Sequence, residues 1–138
     1  MINKSNIKKA LISLGYVDNG NLLTKHFDSF DCDMIVDFEN EQLVYPDSIR
    51  GRDRNTNFDQ SENFAVFECV DRLLTKGYRP NHIELEKEWH LGHDSKSGRA
   101  DICIYKENGE MLIIIECKTY GKEFDKAFKD TQTDGGQL

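Results

Sequence analysis

At 138 residues, 38% of them hydrophobic, the chain suits one compact domain whose core needs no disulfides. Eighteen basic against 25 acidic residues leave a net charge of −7, which repels a phosphate backbone over most of the surface and confines any nucleic-acid contact to local patches. No apolar run approaches the roughly 18 residues that cross a bilayer, and the opening MINKSNIKKA lacks the apolar stretch of a secretory signal, so the expected location is cytoplasmic.

Ile7, Ala10, Leu11 and Leu14 recur at helical spacing and Gly15 supplies a stop, which predicts an amphipathic helix over residues 5–14. NLLTKHF, DMIVDF and QLVYP follow as short strands between polar turns, a small meander ending near Pro46. The text from Asp47 to Gln60 is polar. Ser61 then reads as an N-cap, and the stripe Val66, Phe67, Val70, Leu73, Leu74 predicts a helix that Gly77 and Pro80 end. In HIELEKEWHL, Ile83, Leu85, Trp89 and Leu91 alternate with polar residues, as in a half-buried strand. After the loop GHDSKSG come two apolar runs, GRADICIY and MLIIIECKT, and then KEFDKAFKD, where Phe124, Ala127 and Phe128 share a helix face. The organisation expected is a helix-and-meander unit over 1–46 packed on a core over 47–138. The four cysteines, Cys32, Cys69, Cys103 and Cys117, form no CxxC pair and are expected as reduced thiols.

The two apolar runs hold the candidate site. Asn108-Gly109 between them is a strong hairpin signal for a two-residue type I′ turn. That turn pairs Tyr105 with Leu112, Cys103 with Ile114, Asp101 with Glu116 and Arg99 with Lys118, all on one face. Ala100, Ile102, Ile104, Met111, Ile113, Ile115 and Cys117 make the other face wholly apolar, which suggests a central strand. A three-residue loop would slip this register by one. Opposed residues have Cβ atoms about 5 Å apart, so Asp101 and Glu116 repel one another unless something holds them. A hard divalent cation would do so, because carboxylate oxygens are the ligands magnesium prefers. Lys118 falls on the same face and is placed to orient water or stabilise charge on a phosphate. The plainer alternative is a solvated hairpin end where Arg99 and Lys118 neutralise the two acids.

GRAD followed, after 14 intervening residues, by ECK resembles the D…ExK signature of the PD-(D/E)xK nuclease superfamily. The wider text from YPDSIRGRDR through HLGHDSKSGRADI to LIIIECKTYG resembles the N-terminal nuclease domain of type I restriction enzyme motor subunits and of related single-chain restriction-modification enzymes. Ala100 stands where the signature has proline. The resemblance implies an α/β, restriction-endonuclease-like fold, a mixed central β-sheet flanked by helices. It implies magnesium-dependent hydrolysis of double-stranded DNA, with manganese as a substitute ion. Asp101 and Glu116 would be metal ligands, Cys117 would add its backbone carbonyl, and Lys118 would be the catalytic lysine. The partners implied are motor, methyltransferase or specificity components of a restriction complex. The rival reading is a catalytically silent nuclease-fold module that mediates contacts with DNA or with other restriction subunits.

Further residues are candidates on weaker grounds. Glu68 could supply an acid from the first core helix, although it lies well off that helix's apolar stripe. Gln137 resembles the start of a glutamine motif that the chain's end would truncate. Arg50, Arg52 and Arg54 in RGRDRNTNF, with Lys122, could grip phosphate, against the alternative of a solvated loop and helix face.

Overall fold

The computed structural model describes residues 5–53, 56–90 and 97–117; of Trp89, His90 and residues 97–99 only the backbone is described. Helix α1 spans Ile7–Ser13 and buries Ile7 and Leu11. Four antiparallel strands follow, β1 (Val17–Asp18), β2 (Leu22–Phe27), β3 (Cys32–Asp37) and β4 (Gln42–Val44), paired in chain order as the meander predicts. Alternation drives their packing. Leu23, Phe27, Met34, Val36 and Leu43 point inward and are buried, while their neighbours face solvent.

Helix α2 covers Ser61–Lys76. Its first residue is Ser61, so the cap position falls on Gln60, whose side chain makes no capping bond; the predicted serine cap is not formed. The other end matches the sequence signal. Gly77 adopts φ 105°, and the Gly77 and Tyr78 N–H groups donate to the carbonyls of Leu74 and Leu73. The face of α2 formed by Phe64, Val66, Phe67, Val70, Leu73 and Leu74 enters one cluster with Ile7 and Leu11 of α1, Leu23 and Met34 of the meander, and Ile83, Leu85, Ile102 and Ile104 of the next sheet. A polar tie joins meander and helix inside this core. Lys25 Nζ donates to the Leu14 carbonyl at 2.8 Å and to Asp71 Oδ1 at 3.3 Å, and lies 4.9 Å from the Phe27 ring centre. The Asp71 side chain is only 2% exposed.

The second sheet is β5 (Ile83–His90), β6 (Ser97–Tyr105) and β7 (Met111–Ile115), wholly antiparallel. The parallel component expected of a mixed sheet shrinks, among the described residues, to one isolated bridge between Arg50 and Glu84. There the Arg50 N–H donates to the Ile83 carbonyl and the Leu85 N–H to the Arg50 carbonyl. This approach needs Gly51, which has φ 73°; a Cβ there would lie 2.3 Å from the Leu85 carbonyl oxygen.

The β6–β7 turn differs from the predicted one and the difference cancels. The loop has three residues, Glu107 to Gly109. The Gly109 N–H donates to the Lys106 carbonyl, the Lys106 N–H to the Glu110 carbonyl, and Gly109 alone takes positive φ, at 88°. Tyr105 therefore pairs with Met111 rather than Leu112. A bulge next to this pair absorbs the extra residue, and from Ile104↔Ile113 inward the register is the predicted one, with Cys103↔Ile114 and Ile102↔Ile115. β6 is central and β7 outer among the described residues. Ala100, Ile102 and Ile104 are buried as expected, but so are Asp101 and Cys103 on the other face, while Met111, expected on the apolar face, pairs with Tyr105 and is exposed. No helix among the described residues is long and apolar enough to cross a membrane.

Candidate active site

Asp101 sits on the central strand β6, 3% exposed. Its carboxylate is not left to face Glu116 alone. Oδ2 accepts the Cys117 backbone N–H at 2.7 Å, across 16 residues of chain. The carboxylate of one run is thus bonded to the backbone of the other, between Glu116 and Lys118. Glu116 is exposed and directly follows β7, whose last residue, Ile115, pairs with Ile102. Lys118, Arg54, Lys122 and Gln137 lie outside the described residues, as does the Phe124–Phe128 stripe.

β5 adds a third acid that alternation alone presents as one more polar-face residue. The ladder holds Leu85↔Ile102 and Lys87↔Ala100, so Glu86 is the residue set against Asp101. It takes φ 54°, unusual for glutamate, and the ladder skips this pair. The legible signal was the alternation of Glu84, Glu86 and Glu88; the register against β6 needed the fold. A cleft of about 370 Å³ lined by Gly51, Asp53 and Glu84 to Glu88 runs along this edge. Its four acids against Lys87 make it unattractive to phosphate.

Interaction with Cys117 holds the thiol of Cys69, in the middle of α2, below its ordinary range; Cys69, burial and the charges of Asp101 and Glu62 push the Cys117 thiol up. Glu62, in the first turn of α2, is therefore an acid of the site's neighbourhood that reads in the sequence only as a helix-start residue. Glu68 is engaged elsewhere, its Oε2 taking Arg72 Nη2 at 2.8 Å and Nε at 2.9 Å. Tyr45 is 3% exposed, and burial first, then the neighbouring Cys117 and Cys69, raise its phenol well above the usual range.

The loop arginines are held by the fold. Arg50 stacks 4.7 Å over the Tyr105 ring, whose hydroxyl donates to Glu84 Oε1 at 2.8 Å; burial, then this bond, push the Tyr105 phenol up to about 12. Arg52 Nη1 donates to the Asp47 carbonyl at 2.9 Å.

With both halves of the signature joined through Asp101 and Cys117, the comparison with known families is decisive for one segment. Residues 68–133 match the family model of the type I restriction enzyme R protein N terminus. The match runs from mid-α2 through β5, β6 and β7 and includes Asp101, Glu116 and Lys118, so the resemblance to the type I restriction R protein holds over this segment. No curated protein and no solved structure matches the chain.

All four cysteines are free thiols. Among the described residues no group of three or more His, Cys, Asp or Glu side chains is placed to hold a metal ion. The donors that the signature would supply, the Asp101 and Glu116 carboxylates and the Cys117 carbonyl, are all oxygens. Magnesium, which is commonly held by one or two carboxylates and keeps several waters, fits such an all-oxygen set.

Proposed function

We propose that this chain is a magnesium-dependent DNA endonuclease domain of a restriction system, with a restriction-endonuclease-like core. The observation that carries the reading is the 2.7 Å bond from the Cys117 N–H to Asp101, which joins the D and ExK parts of the signature inside the segment that matches the type I R protein. Asp101, Glu116 and the Cys117 carbonyl would hold the ion; when bound, it neutralises charge developing on the phosphate and lowers the pKa of a bound water. The rest is the chain's own work. Asp101, aimed by its backbone bond and locked by burial, presents its remaining oxygen lone pairs in a fixed direction, so little reorganisation is needed on binding. Glu116, on the exposed side, is open to solvent and to an incoming phosphodiester. Lys118, two residues on, would place a cation beside the phosphate oxygens and orient the attacking water. With net charge −7, duplex affinity would come from local cations and from neighbouring components of the restriction complex rather than from the domain's overall field.

The test is cleavage of supercoiled plasmid with millimolar magnesium. Nicked and linear DNA should appear, and EDTA or Lys118→Ala should each abolish them. Undiminished cleavage by Lys118→Ala, or none by the wild type, refutes the assignment.

A further inference from the structure

We propose that the outward face of the β1–β4 meander is a docking surface for another component of the restriction enzyme, a protein segment with an apolar centre and a lysine-rich rim. The surface stands on the fold alone; that its occupant belongs to a restriction enzyme rests on the reading above.

The register puts the outward apolar residues in a line. Val17 pairs with Thr24, Thr24 with Ile35 and Ile35 with Val44, so one row of β-branched side chains crosses all four strands on the face opposite Leu23, Met34, Val36 and Leu43. At about 4.8 Å per strand the row is roughly 14 Å long. Its ends are open, Val17 being 59% and Val44 41% exposed, and Leu22 in the adjoining row is exposed as well. At the β4 end the row meets a hollow of about 400 Å³ whose lining includes Phe30, Asp31, Asp33, Ile35, Val44 and Pro46. Apolar surface gathered in one place inside a polar rim marks an interaction site, as apolar residues scattered singly do not.

The rim's charge selects the occupant. On one side of the row Asp33 lies 2.7 Å from the His26 ring, and Asp28 and Asp31 lie 3.5 Å from it, so three carboxylates meet one imidazole and the group stays negative even when His26 is protonated. On the other side Asp37 is fixed by the Asn40 side chain and by the N–H groups of Asn40 and Glu39, with Glu39 and Glu41 exposed in the turn beyond. The four strands contain no arginine and one lysine, Lys25, which turns inward to the Leu14 carbonyl and Asp71. Such a rim repels a phosphate backbone, and a second copy laid face to face about a two-fold axis would set acids against acids. A lysine-rimmed protein segment answers both parts of the surface. Its apolar side chains cover the row, and a lysine stem can lie along Phe30, Ile35 and Val44 with its ammonium between Asp31 and Asp33.

The experiment treats the intact enzyme that contains this chain with a carbodiimide, which joins carboxylates to lysines in contact with them, and maps the linked peptides by mass spectrometry. Asp28, Asp31, Asp33 or Asp37 should link to lysines of another subunit or domain. Val17→Lys combined with Val44→Lys places cations at both ends of the row without touching the core, and should lower the yield of these links at least about tenfold. Asp31→Asn, a residue type that tolerates the local φ of 50°, should lower the yield from the remaining carboxylates and weaken its dependence on salt. Melting curves of the isolated chains show which variants fold, and if the double variant does not, Asp31→Asn decides. No link from these carboxylates, links only to a second copy of this chain, or a yield that the folded variants leave unchanged overturns the proposal. Plasmid cleavage is read separately: missing links with cleavage intact overturn the docking surface alone, and links without cleavage overturn the nuclease reading alone.

Discussion

Asp101→Asn tests whether the central carboxylate is held by its repulsion partner or by its backbone bond. In the hairpin register alone, two opposed carboxylates about 5 Å apart repel by roughly 3 kcal/mol at an effective dielectric near 20, and neutralising one would stabilise the fold. The structure reverses that sign. Glu116 is exposed, so screening takes the repulsion toward its aqueous value of about 0.8 kcal/mol. Asp101, 3% exposed, accepts the Cys117 N–H at 2.7 Å. A hydrogen bond to a charged group contributes about 1.5–3 kcal/mol and a neutral one about 0.5–1.5. The amide therefore forfeits about 1 kcal/mol, and it brings a buried NH₂ whose desolvation adds about 1–3 kcal/mol if no acceptor meets it. After subtracting the relieved repulsion, a net loss of about 1–3 kcal/mol remains, which for a domain of this size lowers the melting temperature by about 4–10 °C. The assay is a pair of melting curves, in EDTA and in magnesium, for both proteins. The variant should melt lower in EDTA and gain less from magnesium. If it melts at or above the wild type in EDTA, the backbone bond is not what holds Asp101 and the reasoning fails.

Lys25→Met should lose about 3–5 kcal/mol, because it strands the Asp71 carboxylate in the core, and adding Asp71→Leu should recover much of that loss; chemical denaturation of the single and double variants measures both, and additive losses would contradict the pairing. The hydrogen bond to Asp33 raises the His26 pKa above 6.5, with Asp28 and Asp31 adding to it, so the β2–β3 hairpin gains stability that is fully present below pH 6.5 and fades as pH rises through the folded value. An NMR titration should place the His26 midpoint above 6.5 and see Asp33→Asn lower it. An unchanged midpoint would rule out Asp33 as the cause. Gly51→Ala should destabilise by more than about 1 kcal/mol, since both its φ of 73° and the Leu85 carbonyl oppose a Cβ, and a thermal melt equal to wild type would contradict the close approach of this loop to β5.

Local patterns in the sequence determined the elements. Helical spacing placed α1 and α2, Gly77 marked the end of α2, and alternation predicted the meander and the strand over Ile83–His90. The pairing of the two apolar runs was legible for a similar reason, because a period of two and one buried face leave few registers open. The turn was misread in detail, since Asn108-Gly109 serves a three-residue loop as well as a two-residue one, and only the neighbouring bulge restores the register. What the tertiary structure alone decided is which groups meet across long separations. Asp101 bonds to a backbone 16 residues away, and Lys25 finds Asp71 across 46 residues. Glu68, placed by its helix as a candidate acid, is instead paired with Arg72 one turn on. A one-dimensional pattern encodes which face a residue shows but not what stands opposite. That depends on how helix and sheets share one core, and a buried carboxylate takes whichever donor the packing brings within reach.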